Sequence, residues 1–242
     1  MTLLFGEKDQ TKGTESVVRV DFATIAKTKT APAIDAELSE WTSGWLYMTS
    51  AEQFMIEQGI NNTLEGPQDL NGRIAAKWDE EYLYVAAEVN DNVFYLNTAP
   101  ESMWQQDSIQ IGVIYDPDEK LSPTTREELC LGMNNGVPTI YCHATANTNR
   151  SLGTDVEGCE YAIKTEGNSM RYELKIPWTS IMPNDRTKEE NTLEIGKTLR
   201  FGFIINECDG AARKGWYCIG KDGIGGTKNS YNFVNMFIIG EQ

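Results

Sequence analysis

The chain has 242 residues, among them 36 Asp and Glu, one histidine (His143) and five cysteines. Three kinds of chemistry are open to such a set. Two carboxylates flanking a glycosidic bond can hydrolyse it. Carboxylate oxygens gathered in turns can hold calcium. Aromatic side chains beside polar groups can take up a sugar, whose C–H face packs on a flat ring while its hydroxyls need planar partners at the edge. Hydrolysis is disfavoured, because with so many acidic residues pairs arise by chance and none sits in a motif. G-x-S-x-G, a P-loop and a G-x-G-x-x-G opening a helix are absent, and Gly223-Ile224-Gly225-Gly226 reads as a loop. We therefore expect no enzyme. For structural calcium, Asp91, Asp116, Asp118 and Glu119 fall in turns, but no EF-hand loop assigns the ligands. The cysteines, Cys130, Cys142, Cys159, Cys208 and Cys218, show no CxxC spacing, which argues against zinc. They are expected as small buried hydrophobes. Cys130 with Cys142, and Cys208 with Cys218, flank turns that would bring either pair onto neighbouring strands.

The aromatic option is carried by Trp104. It follows the loop residues Ala99 to Ser102 and precedes an alternating segment, Ser108 to Tyr115, instead of joining it. In that segment Ile109, Ile111, Val113 and Tyr115 share one face, and Ser108, Gln110 and Gly112 the other. Glu128 to Met133 repeats the arrangement, with Glu128, Cys130 and Gly132 on the polar side. If the two segments share a sheet, Gln110, Glu128 and Gly132 line a polar floor in which the glycines leave room for a ligand. Trp41, Trp78 and Trp178 read as core fillers.

The elements that must position these residues are strands. Alternation marks Val17–Phe22, Ile74–Trp78, Tyr82–Val89, Ser108–Tyr115, Glu128–Met133, Thr139–Ala144, Arg171–Ile176, Leu199–Asn206, Trp216–Ile219 and Val234–Ile239, with Gly, Asn, Asp and Pro clusters between them. One segment reads as a helix, Ala51 to Gln58, with Ser50 and Gln53 as a capping box and Gly59 as its stop. Leu46 to Leu70 reads as a surface excursion. The strands lie too close together for crossover helices, so the expected fold is an all-β antiparallel sandwich, jelly-roll-like, with one short helix in an insertion. Residues 1–32 are expected as an extension or edge strand and 33–242 as a single module. The net charge of −15 repels phosphate backbones and anionic membranes, which excludes nucleic acid and membrane surfaces as expected partners.

Several of these runs resemble carbohydrate-binding module family 9, a branch of the DOMON-like sandwiches whose members are attached to xylanases. The resemblance is carried by Ile34-Asp35-Ala36-Glu37-Leu38-Ser39-Glu40-Trp41, Ala76 to Val85, Asn90-Asp91 and Trp104-Gln105-Gln106-Asp107-Ser108-Ile109. Further along it takes in Tyr172 to Trp178, Leu199 to Asp209 and Asn229-Ser230-Tyr231. It extends from about Ala33 to the end. It implies non-catalytic binding of β-glucan or xylan ends between two aromatic rings, with Trp104 as the first. Tyr231 stands where the family has a second, a tryptophan. Gln110, Glu128 and Asn229 become the expected partners of the sugar hydroxyls. It also implies structural calcium, a polysaccharide partner, an attached glycoside hydrolase and an extracellular or cell-surface setting. Two positions depart from the pattern: Gln110 stands for a carboxylate, and Cys130 lies near the place of an arginine. Each lost charge-assisted contact is worth about 1.5–3 kcal/mol. Trp216 and Lys228 are the candidates to replace them. Two alternatives remain: a structural or protein-recognition sandwich whose sugar site has decayed, and a haem-binding domain using His143 and Met133 as axial ligands.

Overall fold

The computed structural model describes residues 22–60, 64–210 and 212–241. Thirteen strands form one hydrogen-bonded sheet folded into two layers. In chain order they are β1 (Phe22–Lys27), β2 (Leu46–Met48), β3 (Phe54–Ile56), β4 (Leu70–Trp78), β5 (Tyr82–Asp91), β6 (Ser108–Ile114) and β7 (Glu127–Asn134). They continue with β8 (Val137–Ala144), β9 (Glu160–Glu166), β10 (Ser169–Pro177), β11 (Thr198–Glu207), β12 (Gly215–Cys218) and β13 (Val234–Glu241). The path runs β8-β7-β6-β11-β13-β1-β4-β5-β10-β9, with β12 joining β11 to β3 and β2 flanking β4. The all-β sandwich stands. Every pairing is antiparallel except at β1, which lies parallel between β13 and β4, two strands remote from each other in sequence.

Period-two alternation builds the core. Ile109, Ile111 and Val113 of β6, Phe201, Phe203 and Ile205 of β11, and Leu83, Val85, Ala87 and Val89 of β5 point inward and are buried together. The layers meet so closely that a Cβ on Gly72 of β4 would come within 2.4 Å of the Ile205 side chain. Trp41, Trp78 and Trp178 are buried, as their motifs suggested. No helix among the described residues is long and apolar enough to cross a membrane.

Three expectations are revised, and a fourth lies mostly outside the described residues. The edge strand over Val17–Phe22 lies, except for Phe22, outside the described residues, and β1 sits inside the sheet between two neighbours. The capping box at Ser50 forms, with Ser50 Oγ accepting from Glu52 N and Gln53 Oε1 accepting from Ser50 N. It opens only one 3-10 turn, Ala51–Gln53, before the chain extends into β3. There Phe54 packs edge-on against Tyr217 at 5.3 Å, and this tertiary contact overrides the local helix signal. The excursion from Leu46 to Leu70 is in part woven into the sheet, through β2 and β3. The single α-helix among the described residues is instead Trp178–Ile181.

Four of the cysteines are buried and Cys159 is half-buried. Cys130 and Cys142 fall on adjacent strands, but Cys142 faces Leu129 across the ladder and Cys130 faces Tyr141, so their side chains leave opposite faces. Cys218 lies opposite Ile204, whereas Cys208 lies beyond the last paired residue, Glu207, so this pair too is apart.

Candidate functional site

The polar faces of β6, β7, β8, β11 and β12 form a second surface, on the side away from the main core. β6 pairs with β7 so that Gln110 lies opposite Cys130, and with β11 so that Gln110 lies opposite Ile204. Gln110 Nε2 donates to Glu128 Oε1 at 3.3 Å, and Gln110 Oε1 accepts from Asn206 Nδ2 at 3.3 Å. Glu128, 1% exposed, is held on its other oxygen by Arg126 Nε at 2.7 Å and on Oε1 by Lys228 Nζ at 2.9 Å. Two of the expected edge partners are therefore brought together, and Lys228 joins them from a distant segment. Alternation had suggested an open, hollow floor, and here the structure differs. The loop from Ile219 to Phe233 folds over it, and Phe233 and Ile224 fill the space beside Gly112 and Gly202. Gly132 is closed by Gln106 and Ser108. The glycines admit an apolar plug from the chain itself.

Trp104 lies on the 3-10 turn Pro100–Gln105 and is half-buried. Its ring faces the guanidinium carbon of Arg213 at 4.8 Å, and the same carbon lies 4.2 Å from the ring centre of Trp216. The two indoles are thus no further apart than those distances combined, and the arginine stacks on both. Arg213 is fixed there by Glu57 (Nε to Oε2, 2.8 Å) and by Asn206 (Nη1 to Oδ1, 3.0 Å). Tyr231, 46% exposed, stacks on Arg200 at 4.3 Å and donates its hydroxyl to the Leu121 carbonyl. Arg200 and Asn206 share a face of β11 six residues apart, about 20 Å along the strand. Trp104 and Tyr231 therefore stand at opposite ends of the surface, each against an arginine. The ring that shares an arginine with Trp104 is that of Trp216. Asn229 caps the turn that carries Tyr231, with its Oδ1 accepting from the Tyr231 amide at 2.9 Å. At the β8 edge the His143 ring lies tilted against Tyr141 at 4.7 Å, and its Nε2 is buried without a hydrogen-bond partner. Burial pushes the His143 pKa down against the pull of Glu128.

His143 and Met133 do not form an axial pair. Met133 packs toward the main core, whereas His143 lies on the outer face, at the other end of the β7–β8 ladder.

A second cluster joins the ends of β5, β6 and β11. Carboxylate oxygens of Asp91, Asp107 and Glu207 lie within 4.8 Å of one another, and so do those of Asp69, Glu207 and Asp209. Asp91 Oδ2, both oxygens of Glu207 and Asp209 Oδ1 are buried without hydrogen-bond partners. The one neighbouring cation in ion-pair range among the described residues is Lys214, 3.7 Å from Glu207 and in contact with Asp209. Burial and mutual repulsion raise the pKa of Asp107 to about 9 and of Glu207 to about 8, and burial, with Asp69 adding to it, raises Asp91 to about 6. Orphaned hard oxygens of this kind fit a divalent oxygen-seeking cation. Of the turn residues read from the sequence, only Asp91 belongs to the cluster. Asp116 accepts from the Lys120 and Leu121 amides and from Arg186, beside a cavity of about 230 Å³ lined also by Tyr115 and Lys197. Burial opposes its ionisation, but these donors outweigh it and hold the carboxyl below its ordinary value. Asp118 and Glu119 pair with Lys120 and Arg200. The cluster residues that the sequence reading missed had a signal of the same kind: Asp107 and Glu207 stand, like Asp91, at or beside a strand end.

Residues 46–236 match the family model described as Carbohydrate family 9 binding domain-like. A comparison with curated proteins gives no match. Among solved structures, a carbohydrate binding module family 9 from Caldicellulosiruptor kristjanssonii in complex with cellotriose superposes with a TM-score of 0.62 at 20% identity, over 91% of this chain and 95% of that one. The same organism's family 9 module in complex with glucose gives 0.60 at 21% identity, over 90% and 97%. A putative carbohydrate-binding protein from Bacteroides uniformis gives 0.52 at 10% identity, over 90% and 97%. These likenesses establish a shared fold. With four-fifths of its length matched by the family model, the chain belongs to the Carbohydrate family 9 binding domain-like family.

Proposed function

We propose that the chain is a non-catalytic module that binds oligosaccharide ends of the β-glucan or xylan type and holds an attached glycoside hydrolase on its polysaccharide outside the cell. The observation that carries this reading is the run of contacts from an indole, Trp104, through Arg213 and Asn206 to the Gln110–Glu128 pair, in a chain of this family. Cellotriose and glucose, bound by the two Caldicellulosiruptor modules, are the first ligands to try. One ring stacked on Trp104 with a few hydrogen bonds corresponds to dissociation constants of roughly micromolar to millimolar. Isothermal calorimetry with cello- and xylo-oligosaccharides, reducing ends intact and reduced, tests the reading. Trp104→Ala is expected to abolish binding while the fold survives. Retained affinity in that variant would remove Trp104 from the site. A second reading has its own observation: Arg213 already covers one face of Trp104. It describes a sandwich whose sugar site has been given up to internal packing, and a glycan screen with no binder would select it.

We further propose that Asp69, Asp91, Asp107, Glu207 and Asp209 hold a structural calcium ion. The ion would neutralise the buried carboxylates and fix the start of β6, next to the turn that carries Trp104.

A further inference from the structure

We infer that Tyr231 is a second stacking platform, and that the ligand is a linear, neutral glycan laid along the outer surface with its end ring on Trp104 and a later ring on Tyr231. This rests on the sugar-binding reading above and specifies the length of its ligand. The two aromatic rings stand too far apart to hold one sugar between them, yet they are mounted alike. The guanidinium carbon of Arg200 lies 4.3 Å from the Tyr231 ring centre, and the Arg200 side chain is 8% exposed and paired with Glu119 at 2.6 Å. The guanidinium carbon of Arg213 lies 4.8 Å from the Trp104 ring, and its side chain is likewise 8% exposed and paired with Glu57. In both places a buried arginine, already matched by a carboxylate, backs one face of an aromatic ring. Since neither arginine brings an unmatched charge to the surface, what the platforms offer a ligand is ring face, which suits a neutral chain.

Tyr231 is fixed although it is exposed. Its amide donates to Asn229 Oδ1 and its hydroxyl to the Leu121 carbonyl, each at 2.9 Å, and the amide of the preceding Ser230 donates to the Pro123 carbonyl at 2.7 Å. The side chain is thus held at its root, at its tip and on one face, while the residue stays 46% exposed. Ordering a side chain before the ligand arrives takes that cost out of the binding step. The C–H face of a pyranose can pack on such a ring. Asn229 spends its Oδ1 on the turn, and its Nδ2 has no acceptor among the described residues, so a donor for a sugar hydroxyl stands beside the ring. The distance from Arg200 to Asn206, the residue that holds Arg213, is about 20 Å along β11, which only an oligosaccharide covers. The loop from Ile219 to Phe233 fills the floor between them, so the chain runs over the loop and not into the sheet. Lys228 marks its middle: it reaches Glu128, which pairs with Gly112 and through it stands level with Gly202, between Arg200 and Asn206.

The experiment is calorimetry on the intact chain with cello- and xylo-oligosaccharides from the disaccharide to the hexasaccharide. Affinity is expected to stay level for the shortest chains and then to step up about tenfold, about 1.4 kcal/mol, once a chain spans both rings, because the second contact is then intramolecular. Tyr231→Ala should cost the hexasaccharide about that tenfold and the disaccharide far less, with circular dichroism confirming the fold. Tyr231→Phe, which keeps the ring, should keep the step. The absence of a step, a step that survives in Tyr231→Ala, or an equal loss at every length in that variant overturns the inference and leaves the sugar-binding reading intact. No binding at any length overturns both.

Discussion

Calcium supplies the sharpest prediction, because the stability of the apo protein and the affinity for the ion are expected to respond to pH in opposite senses. In the apo state Asp107 and Glu207 keep their protons up to about pH 9 and about pH 8. In the unfolded chain Asp and Glu release them near pH 4. Between those limits the folded state binds more protons than the unfolded one, so apo stability falls as pH rises from about 4 to about 9. A divalent cation replaces those protons, so its affinity rises over the same range. At a calcium concentration one hundred times the dissociation constant, linkage adds about 2.7 kcal/mol. A domain of this size gains roughly 2–4 °C in Tm per kcal/mol, which makes the expected rise about 5–11 °C. The assay is differential scanning calorimetry in chelator and in millimolar calcium, at about pH 5 and at about pH 8. The rise should be larger at the higher pH, and Glu207→Gln should reduce it by removing the carboxylate common to both groups of ligands. An unchanged Tm at about pH 8 in excess calcium, or an apo Tm that climbs with pH across this window, would refute the reasoning.

Three further predictions concern packing and anchoring. Phe233→Ala removes the ring that lies against Gly112, Gly202 and Gly223, and should cost about 3–5 kcal/mol in denaturant unfolding. Gly225→Ala puts a methyl 2.4 Å from the Trp216 ring, an overpacking expected to cost about 1–3 kcal/mol by the same measurement; an unchanged midpoint would show that the loop yields. Glu173 accepts from the Asp35 and Ala36 amides and from Trp41 Nε1, so Glu173→Gln should cost about 1–3 kcal/mol and speed amide exchange at Asp35 and Ala36.

How far the sequence reaches is clearest at β6. Its alternation of Ile109, Ile111 and Val113 with Ser108, Gln110 and Gly112 told the strand, the inward face and the polar face, because in a strand orientation follows position with period two. The pairing that sets Gln110 beside Glu128 followed from the same logic applied to β7, and the buried tryptophans from their place in alternating runs. Alternation could not say that the polar face would itself be covered. Phe233 and Ile224 reach it from more than a hundred residues away, and a contact at that separation leaves no periodic trace at either end. For the same reason the ring that shares an arginine with Trp104 is that of Trp216, and not that of Tyr231. That choice depends on how the segment between β11 and β12 returns across the sheet. The carboxylate cluster divides likewise. Strand ends at Asp91, Asp107 and Glu207 are visible as local punctuation, but their meeting is a property of two layers closing at one edge. The helix signal at Ser50 shows the limit from the other side: a local capping box survived, and the packing of Phe54 on Tyr217 decided what followed it. Local sequence determined strand, face and cap, since each depends on neighbours in the chain; partners across the sheet were decided only when the layers packed.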